Sequence, residues 1–291
     1  MTVIPPTSAA LPELSDVELW RRDFRRRQGR RSALIAALSS VVVLTALVLG
    51  VINSPGWPQV HKTFFDVHYG WSVFPAILRG FWLNVRILVV AEILILLVAL
   101  LIAAMRTVSG PALFPIRALA TIYVDFFRGV PLIVLILLIG FGVPNLHVHW
   151  LPKSTLVLGT ASLVLAYSAY VAEVFRAGIE SVHPSQRAAA RSLGLSQSKT
   201  LRIVVLPQAV RAVLPPLLND FVGLQKDVGL VSLLGVVDAV QQATILSDSS
   251  FNFTPYTIAA LLFVALAIPS GRVADRFAAR ANRRQRAGAV V

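Results

Sequence analysis

HPSQRAAARSLGLSQSKTLRIVVLP, residues 183–207, breaks an otherwise apolar chain with a short polar and basic interval. Pro184 suits a first helical turn, where its missing N–H costs nothing, and Ala188, Ala189 and Ala190 are strong helix formers of minimal bulk. Gly194 supplies a C-terminal cap, Ser196 caps a second helix running toward Leu206, and Pro207 opens the next apolar stretch. The pattern predicts a short helix, a sharp turn and another helix. So short a helix is marginal alone in water, and docking against something else would stabilise it. Its alanines allow close backbone approach, while Arg187, Arg191, Lys199 and Arg202 are available to acidic partners. On these grounds alone an amphipathic loop lying on a membrane surface is an equal alternative.

Outward from this interval the chain is a membrane protein by composition. Of its 291 residues 56% are hydrophobic and 14% charged, against about 25% charged in soluble domains. Apolar blocks run over 33–52, 77–105, 116–143, 154–175, 205–225 and 253–272, and about 20 apolar residues suffice to cross a bilayer core as a helix. The predicted fold is all-α, a polytopic helical membrane protein of about six transmembrane helices. Residues 1–32 read as a basic cytoplasmic tail, 33–52 as an extra N-terminal membrane helix, and 276–291 as a second basic cytoplasmic tail. A cleaved signal is the alternative for 33–52; the block is long for a signal and no A-x-A cleavage site follows it.

Charge placement fixes the orientation. The chain carries 27 Lys and Arg against 14 Asp and Glu, a formal charge of +13. With six spans and both ends inside, the outer side holds only Lys62, Arg79, Lys153 and Lys226, as the positive-inside rule requires. The stretch 228–246 carries Asp238, Gln241 and Gln242, and a seventh span there would put the C-terminal arginines outside, so it reads as a partial, outward-lying or re-entrant segment. Basic residues divided among separate cytoplasmic segments suit anionic lipid headgroups rather than a nucleic-acid groove. The reading is therefore a lipid membrane and no nucleic acid.

Several familiar chemistries have no residues to carry them. There is no cysteine and no Gly-Lys dipeptide, which excludes thiolate sites and a phosphate-binding loop of the form G-x-x-x-x-G-K-[ST]. His147 and His149 lack further ligands and read as solvated, so no metal and no catalytic residue is expected. Ionisable groups inside spans face protein or a wet cavity, since each costs about 2.5–3.5 kcal/mol near a helix centre on insertion scales. Arg128 can attract a carboxylate, or pair with Asp125 one turn away. Glu173, Arg176 and Glu180 share a helix face and read first as ion pairs. Pro215 and Pro216 are expected to interrupt the fifth span, with Asn219 and Asp220 just beyond the break. Lys226 and Asp227 either pair mutually or meet a substrate's carboxylate and ammonium. Arg128, Glu173, Asn219, Asp220, Lys226 and Asp227 are thus the candidates for the transport path.

Segment 183–207 resembles the E-A-A loop of ATP-binding-cassette importer permeases. Ala189, Ala190, Gly194, Val204, Leu206 and Pro207 fall at the loop's spacings, and Ala188 stands where the family has Glu. FFRGVPL at 126–132, AYSAYVAEVFRAGI at 166–179 and LLNDFVGLQKDVGLVSLLGV at 217–236 are similar to the polar amino acid branch. Leu135, Val228 and Gly229 depart from that branch's usual Gln, Thr and Ser. The resemblance implies a type I importer permease core over about 70–275 and an ATPase-coupling loop containing Pro184, Ala188, Ala189, Ala190, Leu193, Gly194, Val204, Leu206 and Pro207. It also implies the partners: an ABC ATPase dimer that holds ATP and Mg, a second permease subunit, an extracytoplasmic solute-binding protein, and an amino acid substrate, polar or charged. The chain itself would then hold no cofactor and sit in a prokaryotic cell membrane. The competing class is an ion-coupled secondary transporter, supported only by Glu92 and the prolines at 215 and 216.

Overall fold

The computed structural model describes residues 16–107 and 110–288, and every element among them is helical. The chain forms two compact units that divide between Val60 and His61. In the first, α1 (Asp16–Ile52) is one helix of 37 residues, so the basic run and the apolar block 33–52 form a single rod. Its stretch Arg31–Ile52 is apolar and long enough to cross a bilayer. The predicted tail thus belongs partly to a helix; residues 1–15 lie outside the described part.

The second unit opens with the end of α2 (Trp57–Phe64), then α3 (Val67–Thr107), a helix of 41 residues. Next come α4 (Phe114–Gly129), α5 (Leu132–Asn145) and α6 (Thr155–Glu180). The polar interval holds α7 (Pro184–Ser192) and α8 (Gln197–Thr200), followed by α9 (Leu206–Asp227), α10 (Ala239–Ser250) and α11 (Thr254–Gly288). Five helices are apolar and long enough to span, or six if α4 and α5 count as one. The core lies where α3, α6 and α9 meet, around Ile95, Leu163 and Leu224, none of which is exposed beyond 1%. Outward-facing Leu, Val and Ile side chains of the spans are exposed, as suits a lipid solvent.

Two sequence expectations need correction. The block 116–143 is not one straight span: α4 and α5 meet at 107°. Pro131 has no N–H to continue the ladder, and it holds Val130 extended, at φ −90° and ψ 129°. Conversely, Pro215 and Pro216 do not interrupt α9, which runs through both. Proline's fixed φ is helical, so adjacent prolines cost hydrogen bonds without forcing a break where neighbouring helices hold the backbone. The true interruption comes later, at 228–234, which winds as a 3-10 helix before a sharp turn at Gly235 and the Asp238-capped start of α10. The stretch 228–246, read from sequence as a partial, outward-lying or re-entrant segment, is thus a 3-10 segment and a turn leading into α10 rather than one continuous helix. The C-terminal tail continues α11 as a helix to Gly288, and 289–291 lie outside the described residues.

Candidate functional site

The polar interval folds as its residues dictate. Pro184 opens α7, and His183 caps it, with its Nδ1 accepting from the Ser185 N–H at 3.2 Å. The helix ends in a paired closure: the Gly194 N–H donates to the Arg191 carbonyl at 2.9 Å and the Leu195 N–H to the Ala190 carbonyl at 3.2 Å. Gly194 sits at φ 81° with open space where a Cβ would be, so the backbone angle, not crowding, selects glycine. Ser196 caps the next helix by accepting from the Lys199 N–H at 3.4 Å. Residues 201–205 then widen into a π turn, in which the Leu206 N–H reaches the Leu201 carbonyl. That wider turn makes room for Pro207, whose ring would otherwise press on the carbonyl four residues back.

α7 has an anchored side and a presented side. Ala190 is buried, while Pro184, Ala188, Ala189 and Gly194 are exposed and Leu193 is 82% exposed. Two polar ties hold the anchored side. Arg187 donates from its guanidinium to the Ile179 carbonyl at the end of α6. Gln208 on α9 donates to the Gln186 side chain at 2.7 Å and also to the Val204 carbonyl at 2.9 Å. Val204 is half-buried, and Leu206 and Pro207 are exposed. α7 thus presents an exposed leucine beside small residues while its other side is tied to two spanning helices.

Above α7, α6 carries an ion cluster. Glu173 accepts from Arg106 of α3 at 2.6 Å and pairs with Arg176, which also pairs with Glu180. The local pairs were expected from the i, i+3 and i+7 spacing. Arg106 was not, since it lies 67 residues away and only the packing of α3 on α6 brings it there. Glu173 is therefore engaged by two cations, Arg106 and Arg176.

Two of the other candidates, Arg128 and Asp227, reach neighbouring tyrosines of α6, Tyr170 and Tyr167, whose rings lie 6.3 Å apart. Arg128 on α4 makes no ion pair with Asp125; it lies 5.8 Å over the Tyr170 ring, and the Tyr170 hydroxyl donates to its carbonyl at 3.3 Å. Asp125 is exposed, one turn away but turned elsewhere. On α9, Asn219 and Lys226 are exposed, and Lys226 does not pair with Asp227. Instead Asp227 accepts from the Tyr167 hydroxyl of α6 at 2.7 Å. Asp220 is half-buried, with Oδ2 enclosed and without a hydrogen-bond partner.

A second polar cluster fastens the irregular segment to α3. Asn84, 1% exposed, donates from Nδ2 to Asp238 Oδ2 at 2.8 Å and accepts from the Ala239 N–H at 3.0 Å. Asp238 Oδ1 accepts from the Val240 and Gln241 N–H groups, both at 2.9 Å, and so caps α10. Beside it Gly80 lies against the Asp238 backbone. The polar residues of 228–246 signalled an unusual segment, but Asn84 gave no sign of its role.

Residues 112–283 match the model of one protein family, described as the inner membrane component of binding-protein-dependent transport systems. The chain belongs to that family. This inner membrane component is 36% identical over 156 residues to the probable glutamine ABC transporter permease protein GlnM of Bacillus subtilis, covering 53% of the chain and 71% of the relative. It is 32% identical over 217 residues to the probable amino-acid ABC transporter permease protein YckA of the same organism, covering 74% and 92%. A crystal structure of an amino acid ABC transporter with histidines superposes with a TM-score of 0.68 at 32% identity, covering 74% of the chain and 98% of that structure. The family is that of a multi-pass membrane permease subunit, and none of these matches supports an ion-coupled carrier.

Proposed function

We propose that this chain is the permease subunit of an ATP-driven importer that carries amino acids, polar or charged ones, across a prokaryotic cell membrane. The observation that carries this reading is α7, presented to the surface by Ala188, Ala189 and Leu193 and tied behind to both α6 and α9. The names of the relatives, GlnM and YckA, support amino acids as the cargo. Two such subunits, identical or paired with a second permease, would enclose one path. A solute-binding protein outside would deliver the amino acid, and two ATPase subunits inside would hold ATP and Mg. Both termini lie on the cytoplasmic side in this arrangement, where the basic tails meet anionic headgroups.

Closure of the ATPase dimer on ATP displaces α7, and the Arg187 and Gln186 ties carry that displacement into α6 and α9 together. Hydrolysis and opening reverse it. The coupling free energy is the difference in docking free energy of the ATPase on the inward-open and outward-open permease.

The test is reconstitution. The chain assembled with its ATPase and binding protein should take up amino acids only with ATP, and Gly194→Pro or Leu193→Asp should abolish stimulated hydrolysis and uptake. Accumulation driven by a proton or sodium gradient, in vesicles holding this chain alone, overturns the proposal.

A further inference from the structure

We infer that Arg79 and Arg86, with Gln242, form an oxyanion site that takes the α-carboxylate of the transported amino acid. This rests on the amino-acid importer reading and adds a binding site to it, distinct from the candidates on α4, α6 and α9. Arg79 and Arg86 stand two helical turns apart on the same face of α3, about 10 Å along the axis. Both line an open cavity of about 250 Å³ together with Gly80, Val237 and Gln242. That is below the roughly 300–1,000 Å³ of drug-sized pockets and suits a small zwitterion.

Among the described residues neither guanidinium has an ion-pair partner, and Arg79 Nε donates only to the Pro75 carbonyl of its own helix, at 3.3 Å. Both are exposed, and the ion pairs of the described residues all gather around Glu173 and Arg176. Asp238, whose backbone lies against Gly80 of the cavity lining, makes no ion pair with either arginine. It is fully buried, with Oδ1 committed to the start of α10 and Oδ2 to Asn84. Both carboxylate oxygens of this acid are thus already engaged.

Arg86 directly precedes the apolar run from Ile87 to Ala91. An unpaired cation at such a place is expensive against lipid and is stable facing water or an anion. Two guanidinium forks offer the geometry that a carboxylate accepts in pairs, and Gln242 adds a neutral donor and acceptor. The floor is rigid, because the Asn84 clamp and the Gly80 contact fix Val237 and Gln242 relative to α3. Leu83 and Arg86 also line an apolar groove of about 680 Å³ between α3 and α6.

The experiment is equilibrium binding of ¹⁴C-labelled L-amino acids, one at a time, to the permease–ATPase complex in lipid discs. The binding protein is omitted so that its own site does not contribute. For the amino acid that the full system transports, Arg86→Gln should raise Kd about tenfold or more, the loss of one charge-assisted pair of hydrogen bonds. Arg79→Gln should act in the same direction, and Arg86→Lys should retain part of the affinity. The α-carboxamide of the same amino acid should compete poorly on the native complex, and Arg86→Gln should erase that discrimination.

Unchanged Kd in both glutamine variants overturns the inference, as does discrimination against the carboxamide that survives them. The absence of saturable binding to the native complex overturns it too, while ATP-driven uptake would leave the importer reading standing. Discs with and without phosphatidylglycerol separate a lipid phosphate. If that lipid, and not the amino acid, loses its effect in Arg86→Gln, the site is a lipid site and the inference fails. Should Arg86→Gln fail to assemble, Arg79→Gln and Arg86→Lys carry the same readout.

Discussion

The interval 184–207 and the junction of α3 with 228–239 both interrupt the regular helices, and they do so by opposite means. In the first, each bend is made by neighbours in sequence: Pro184, the Gly194 closure, the Ser196 cap and the π turn before Pro207. Its surface stays open, with Leu193 82% exposed. In the second, the bend is held by residues about 150 positions away, through Asn84 and Gly80, and Asp238 is fully buried. In the first region the bends are set by neighbours in sequence and one face stays free, as the proposed docking of a partner there requires. An element that must not move is locked from outside itself. Substitutions in the two regions should therefore separate stability from coupling.

The largest loss of stability is expected from Asn84→Leu. It strands the Ala239 N–H and Asp238 Oδ2 in a closed interior, and buried unsatisfied groups cost about 1–3 kcal/mol each, giving roughly 3 kcal/mol together. Thermal unfolding of the detergent-purified complex measures it; a change below about 1 kcal/mol would mean that the clamp is slack. Gly80→Ala follows, at about 2 kcal/mol in the same assay. Its Cβ would stand 2.6 Å from the backbone of Asp238, which cannot swing aside as a side chain can.

These sites also show where sequence reading ends. The spans, the capped helix pair at 184–200 and the irregular character of 228–246 follow from hydropathy, caps and charge, which act over a few residues. The ion pairs of Arg176 were legible because Glu173 and Glu180 are its helical neighbours. Arg106, Tyr167 and Asn84 were not, because each acts on a helix distant in sequence. The prolines at 215 and 216 misled for the same reason: whether a proline breaks a membrane helix depends on what surrounds it, whereas at Pro131 the extended Val130 already makes the turn locally.

Gly194→Ala lies between the two classes. A residue with a Cβ at φ 81° costs about 1–2 kcal/mol, yet no neighbour stands in its way, so the cost is confined to the closure of α7. A small fall in unfolding temperature with a larger fall in ATP-driven uptake is the expected result. Equal falls in both would place Gly194 with the locked region rather than the grasped one.

Leu193→Ala sharpens the contrast furthest, because it should have the smallest effect on stability of all. With 82% of its surface already open, truncation removes almost no buried contact, and a change within about 0.5 kcal/mol is expected. In the assembled transporter the same side chain would be covered by the ATPase, and its removal should lower coupled uptake several-fold while uncoupled hydrolysis by the ATPase persists. Comparing unfolding temperature with the ratio of transport to hydrolysis checks both halves at once. If uptake holds at the native level, the exposed leucine is not the gripped face of α7, and the grip must be sought at Ala188 and Ala189 on the same helix.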